Sequence, residues 1–365
     1  MNDREATKRR FLSASGFGDA ERHPLPGDAS TRRYERLKKG AQTFMLMDQA
    51  PALESQPCLP TQNETERRAS GYNAMARLAA GRIEAFVAAS NYLRAQGLSA
   101  PEIYEVDAPN GLLISEDLGD DLFASLIASG QDETPLYLSA IAALARLHEL
   151  TPPDTLANKP LESGWPLLTY DDLALKTGAD LFVEWYPRFD TRHSLSDKAL
   201  EEWEALWAPL RQRSEAGATV FIHRDYHAEN LLWLPERKGA ARVGMIDFQD
   251  ALRGHPSWDL HSLLQDARRD VSPELERVAL DHYFALRPDT DVPAFMQGYT
   301  ALATLNEARI LGIFARLIVR DHKPRYEAFM PRMWRHLGRN LEAPSMEGLK
   351  DWFLRYGFSE KLKTA

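Results

Sequence analysis

The tightest constraint on this chain is a polar loop held between short apolar strands. Phe221 and Ile222 lead into His223-Arg-Asp225-Tyr-His227-Ala-Glu-Asn230, and Leu231-Leu-Trp233 follows. Further on, Val243-Gly-Met-Ile246 ends at Asp247-Phe248. Apolar runs this short, bounded by polar turns, read as strands buried in a mixed fold. Asp225 and Asn230 then share one loop, and Asp247 stands at the end of a later strand.

Asp and Asn are also common turn formers, because their side chains bond the nearby backbone. A plain turn needs neither the flanking strands nor the second carboxylate after a further apolar run. The three side chains do match what phosphoryl transfer asks of a protein, which is mainly positioning and neutralisation of charge. One carboxylate must face the attacking hydroxyl and take its proton, and Asp225 suits that role. An amide oxygen and a second carboxylate must hold Mg²⁺ on the phosphates. Asn230 and Asp247 suit that one, because Mg²⁺ is a hard ion that prefers oxygen. His223 reads as structural, bonding the loop backbone.

With 365 residues the chain has room for two domains, and its eight Trp and fifteen Phe can fill sizeable cores. A net charge of −9 argues against a general nucleic-acid binder, which needs a basic surface to release counterions. One local cationic pocket still suffices for ATP. The single cysteine, Cys58, allows no internal disulfide and suits a reducing cytoplasm. The basic N-terminus lacks the apolar run of a secretory leader. No apolar stretch approaches a membrane span, the longest, Ile310 to Val319, being interrupted by Arg316. A cytoplasmic protein with a small-molecule substrate is expected; no protein partner can be read from the sequence.

Along the chain, residues 4–17 read as a helix packing Phe11, Leu12 and Phe17, and His23 to Ala50 as a β-meander. Residues 52–82 look like a local insertion, with a small helix within 65–80. Ile83 to Gln96 has helical spacing and stops at Gly97. Strands at Glu102–Val106 and Leu112–Ser115 flank the turn signal Pro109-Asn-Gly. Beyond Gly119 the pattern turns helical: 134–150, 197–214, 258–269, 273–286, 291–320, 325–340 and 346–356, interrupted by the β-rich stretch from Val220 to Phe248. The expected architecture is α+β, a β-rich nucleotide-binding lobe over 1–119 and a helical catalytic and sugar-binding lobe over 120–365. A cleft between two such lobes is a usual place for a ligand.

The His-x-Asp-x-x-x-x-Asn loop with its later Asp resembles the aminoglycoside phosphotransferase/choline kinase superfamily, which implies a two-lobed protein-kinase-like fold with ATP and Mg²⁺. The resemblance implies further roles. Gly27, Asp28, Ser30, Thr31, Arg32 and Arg33 stand where that family's phosphate-covering loop lies, and small residues there let backbone N–H groups approach phosphates. A plain hairpin turn is the other reading. Leu113-Ile-Ser-Glu116-Asp-Leu118-Gly resembles the hinge, where the backbone of Glu116 and Leu118 would pair with adenine; a surface turn after a strand is the alternative. One departure stands out. Related kinases carry a Lys on the third strand to hold the phosphates, and here Phe44-Met45-Leu-Met47-Asp48 puts Met47 or Met45 there. Arg32 and Arg33 are the nearest replacement cations.

Blocks along nearly the whole chain narrow the resemblance to the bacterial anomeric kinases of N-acetylmuramate and N-acetylglucosamine. They include the 27–34 loop, Glu116 to Phe123, Leu181 to Tyr186, the 223–234 and 246–251 segments, Ser262 to Val271 and Ile310 to Tyr326. That implies phosphorylation of a sugar C1 hydroxyl in peptidoglycan recycling. His227, Asp250, Asp266 and Arg268 would then line a polar acceptor pocket, although a solvated face suits Arg268 and Arg269 as well. Asp259 reads instead as the cap of a helix beginning near Leu260. Glu184 and Trp185 could bond and stack on the sugar, or belong to a core aromatic helix. Arg268 or Arg309 could receive the lactyl carboxylate of N-acetylmuramate. Two rivals remain at this level. A kinase of aminoglycosides or choline would want a strongly acidic pocket, against which the arginines argue. A non-catalytic binding protein is favoured by the strand methionine and opposed by Asp225, Asn230 and Asp247.

Overall fold

A computed structural model describes residues 3–26, 32–50 and 56–363. In chain order the helices are α1 (Asp3–Ala14), α2 (Glu64–Ser70), α3 (Tyr72–Met75), α4 (Ile83–Ala95), α5 (Phe123–Ala128), α6 (Glu133–Leu147), α7 (Asp172–Phe189), α8 (Asp197–Ala216), α9 (Ser257–Leu264), α10 (Pro273–Leu286), α11 (Val292–Val319), α12 (Met330–Leu341), α13 (Glu347–Arg355) and α14 (Ser359–Lys363). The strands are β1 (Glu21–Pro24), β2 (Arg33–Lys39), β3 (Gln42–Asp48), β4 (Ile103–Asp107), β5 (Leu112–Glu116), β6 (Thr155–Leu156), β7 (Trp165–Pro166), β8 (Val220–Ile222), β9 (Leu231–Trp233), β10 (Val243–Met245) and β11 (Leu252–Gly254). The class is α+β, as the sequence predicts.

The chain gathers into two units, one of residues 1–168 with 228–251 and the other of 169–227 with 252–365. This division differs from the expected break at Gly119, because α5, α6 and the β9–β10 pair pack with the N-terminal elements.

The first unit is built on an antiparallel sheet of order β1-β2-β3-β5-β4. Phe11 and Leu12 of α1 cover its apolar face, closing a core with Leu37, Leu46, Leu112 and Ile114. A charged layer seals α1 to the sheet: Glu35 accepts from Lys8 and Arg22, each at 2.7 Å, and Asp48 accepts from Arg4 at 2.8 Å. The 65–80 segment forms two short helices rather than one, since Gly71 breaks it with φ 92°. Asn63 and Glu66 close a reciprocal capping box on α2.

The second unit is helical around α7 and α11. They approach so closely that a side chain at Gly312 would lie 2.3 Å from the Leu181 carbonyl carbon, so only glycine fits. Phe182, Tyr186, Trp203, Trp334, Phe353 and Phe358 form an aromatic core beside them. The helix expected over 258–269 starts at Ser257 and ends at Leu264. Just beyond it, Asp266 Oδ1 takes the N–H of Arg268 at 2.8 Å, a local bond that competes with helix continuation. Among the described residues, no helix is long and apolar enough to cross a membrane.

Candidate active site

β8 pairs antiparallel with β11 and delivers the chain to His223. The next two backbone N–H groups, of His223 and Arg224, are both donated to the carboxylate of Asp259, at 2.6 and 2.9 Å. The indole of Trp258 donates to the Arg224 carbonyl at 3.1 Å. Arg224 has φ 81°, a conformation that costs energy for any residue with a Cβ and persists only where its surroundings hold it. Its guanidinium lies over the Tyr170 ring, 4.8 Å from the centroid. Asp225 comes immediately after this clamp.

Asp259 thus has a different task from the helix cap the sequence suggests. α9 begins at Ser257, so Asp259 falls in its first turn, fully buried, with its carboxylate on the loop. Burial pushes its pKa up to about 7, against the pull of the two N–H donors, and the charge of Asp225 adds to the rise. His223 is buried with its ring edge-on to Tyr226, at 5.5 Å, and serves the loop through its backbone N–H.

A cavity of about 110 Å³ in the second unit collects most of the predicted acceptor residues. Asp225, His227, Asp266, Arg268, Asn306 and Arg309 all line it. Arg268 Nη1 and His227 Nε2 are 3.1 Å apart. Arg309 donates to Asn306 Oδ1 at 3.0 Å, and its stem fills the space left by Gly178, where a Cβ would stand 3.1 Å from Arg309 Cδ.

Three predicted contributors, Glu184, Trp185 and Asp250, are not among the residues lining that cavity. Glu184 is exposed on α7, 3.9 Å from Arg188, and the same guanidinium covers Trp185 at 4.6 Å. Their neighbour Tyr186 is core, accepting from the indole of Trp334 at 3.2 Å. A larger cavity, about 410 Å³, lies among α12, α13 and α14 and contains none of the predicted residues.

In the first unit, β9 and β10 pair so that Met245 faces Leu231, and the N–H of Ile246 then reaches the carbonyl of Asn230 at 3.1 Å. This pairing brings the backbone of Asn230 beside the strand end that carries Asp247. Asp247 is left-handed, φ 66°. Its carboxylate is ion-paired with Arg32, whose other amino group donates to Gln249 at 2.6 Å. Arg32 also stands 3.5 Å from the hydroxyl of Tyr34, which is 3.5 Å from the sulfur of Met47. The guanidinium is therefore one side chain away from Met47. Burial works against its charge, but Tyr34 and Asp247 outweigh it and raise its pKa. Arg33 is exposed on β2, opposite Asp48. Gly27, Asp28, Ser30 and Thr31 lie outside the described residues.

The predicted hinge follows β5. The N–H of Glu116 is donated to the Glu102 carbonyl at 2.8 Å, and its carboxylate holds Arg237. The Leu118 side chain lies against Gly244, 3.3 Å from where a Cβ there would be. Asp250 departs from expectation. Its Oδ1 accepts the backbone N–H of Ala79 at 2.6 Å, so it is engaged by the 56–82 segment within the first unit.

Known proteins resemble this chain in sequence and in fold. The model of the phosphotransferase enzyme family matches residues 21–299. An N-acetylmuramate/N-acetylglucosamine kinase of Caulobacter vibrioides is 59% identical over 97% of this chain and 97% of its own. A kinase of the same name from Pseudomonas aeruginosa is 28% identical, covering 89% of this chain and 86% of its own. In three dimensions, a choline/ethanolamine kinase family protein from Mesorhizobium loti superposes with a TM-score of 0.56 at 12% identity, covering 95% and 98% of the two chains, which bears on the fold alone. The chain belongs to the phosphotransferase enzyme family, and it is an ATP-dependent phosphotransferase with a small-molecule substrate.

Proposed function

We propose that this enzyme transfers the γ-phosphoryl group of ATP to the anomeric C1 hydroxyl of N-acetylmuramate or N-acetylglucosamine, in the cytoplasm, as a step in peptidoglycan recycling. The observation that carries this reading is the 59% identity to the Caulobacter kinase, sustained over 97% of both chains.

The residues support a division of labour. Asp225 accepts the proton of the C1 hydroxyl as that oxygen bonds to phosphorus and ADP departs. An anomeric hydroxyl is more acidic than an ordinary alcohol, so a carboxylate is base enough. Asn230 and Asp247 offer an amide oxygen and a carboxylate, a hard-oxygen set that fits Mg²⁺, and Asp247 is already gathered to a cation in the form of Arg32. When bound with the nucleotide, Mg²⁺ would neutralise charge on the phosphates. Arg32 supplies the cation that Met47 cannot. The family resemblance assigns the phosphate-covering role to Gly27, Asp28, Ser30 and Thr31 and adenine pairing to the backbone of Glu116 and Leu118.

On the acceptor side, His227 and Asp266 bond sugar hydroxyls, while Arg268 and Arg309 bring positive charge to the cavity wall, where a lactyl carboxylate would be received. The test is ADP release over a panel of N-acetylmuramate, N-acetylglucosamine, an aminoglycoside and choline, with NMR of the product. Turnover of the amino sugars, with phosphorus coupled to the anomeric proton, is expected. Turnover confined to the aminoglycoside or choline, or phosphate on another oxygen, overturns the reading. Loss of preference between the two sugars in Arg268→Ala or Arg309→Ala would identify the carboxylate's partner; unchanged preference in both removes that role.

A further inference from the structure

The 56–82 segment and Asp250 explain one another. Asp250 lies three residues after Asp247, and its carboxylate accepts the N–H of Ala79 at 2.6 Å. Ala79 is buried in the connection between α3 and α4. The chain around it is contorted: Arg77 has φ 53°, Ala80 φ 52° and Gly81 φ 77°. Left-handed conformations at two residues with side chains are unfavourable and persist only where their surroundings hold them; Arg67 bonds the carbonyls of Ala74 and Met75 from within the segment, and Asp250 adds a hold from outside it. The N–H that Asp250 accepts, that of Ala79, falls between the two in sequence. Gly81 is equally constrained, since a Cβ there would stand 3.0 Å from the Gln49 amide.

From the other side, the Asp247–Asp250 stretch is gripped at every residue. Arg32 holds Asp247 and Gln249. Phe248 stacks on Phe86 of α4, with centroids 4.7 Å apart and planes at 27°. Asp250 completes the set through Ala79.

We propose that Asp250 is a positioning residue, and that residues 76–82 are a strap whose purpose is to fix the stretch carrying Asp247. The strap sets the direction of the Asp247 carboxylate, itself displayed from a left-handed residue that would otherwise relax. An acceptor oxygen at this reach is what the strap requires, since the Ala79 N–H is a neutral amide, while the charge of Asp250 acts separately on Arg32. This inference rests on the kinase reading, in which Asp247 is a metal ligand.

Two variants of the full chain decide it, Asp250→Ala and Asp250→Asn. Hydrogen–deuterium exchange is followed in peptides covering 76–86 and 244–251, and turnover is titrated with Mg²⁺ at saturating ATP. In Asp250→Ala, exchange should rise in both peptides. The Mg²⁺ concentration for half-maximal turnover should rise about tenfold, the scale seen when an outer partner of a metal ligand is lost. The KM for the amino sugar should stay as in the parent. Asp250→Asn keeps an acceptor oxygen and should restore both readouts. Unchanged exchange in Asp250→Ala overturns the strap. So does an Asn variant as impaired as Ala with a raised sugar KM, which would return Asp250 to the acceptor. A parent chain that releases no ADP with any amino sugar defeats the kinase reading instead, and the exchange data still decide whether the strap exists.

Discussion

The carboxylate of Asp259 receives the N–H of Arg224 at 2.9 Å, and Arg224 is one of the residues with a left-handed backbone, φ 81°. The bond and the strain fall on the same residue, one position before Asp225. The buried acid therefore fixes the shape of the loop on which the proposed base stands. Removing it in Asp259→Ala would strand two buried N–H groups, at about 1–3 kcal/mol each. The expected result is a large drop in the urea midpoint together with loss of turnover. Asp259→Asn, which keeps one acceptor oxygen, should recover part of both. Equal midpoints for the parent and the Ala variant would show that the clamp carries no stability.

Asp225→Asn should separate binding from chemistry. The amide preserves shape but cannot take the hydroxyl proton, and loss of a general base costs about 10²–10⁴-fold in rate. Turnover should fall by that order while ADP binding, measured by calorimetry with Mg²⁺ present, is retained. Near-parental turnover would remove Asp225 from the mechanism.

Arg32→Ala should raise the KM for ATP. A hydrogen bond to a charged partner contributes about 1.5–3 kcal/mol, which corresponds to a change of roughly tenfold or more. Arg33→Ala, altering an exposed strand residue, should leave KM near the parent value. If neither variant shifts the KM, the replacement cation lies elsewhere.

The second unit should be acid-sensitive. Burial holds the pKa of His255 down to about 4 and those of His261 and His336 to about 3. As pH falls below the ordinary histidine value of about 6.5, the unfolded chain takes up protons that the folded chain refuses. The stability tied to these neutral rings is complete above that pH and is lost progressively toward pH 4. Each ring contributes a slope of up to about 1.4 kcal/mol per pH unit. Thermal melts between pH 7 and pH 5 should show Tm falling less steeply, or rising more, in His336→Gln than in the parent; parallel profiles would contradict the assignment.

Much of the fold was legible because its signals are local. Strand and helix patterns between Arg33 and Glu116 follow from apolar spacing and turn residues, and Gly97 and Gly111 stop or turn the chain where expected. The division into units was not legible, since where α5 and α6 pack depends on surfaces, not on composition. Glu184 and Trp185 show the same gap. Their neighbour Tyr186 is core, yet a step of one or two residues back around the helix leaves Trp185 under Arg188 and Glu184 exposed.

By itself the sequence determined the α+β class and the phosphotransferase family, because His223 to Asn230 and Val243 to Asp247 are short segments whose spacing is set by loop and strand geometry. What only the tertiary structure decided is which carboxylates are committed elsewhere. Asp259 serves a backbone 35 and 36 residues away, and Asp250 one 171 residues away. A hydrogen bond is made with whatever the fold brings within about 3 Å, and separations of that kind leave no trace in the local order of residues.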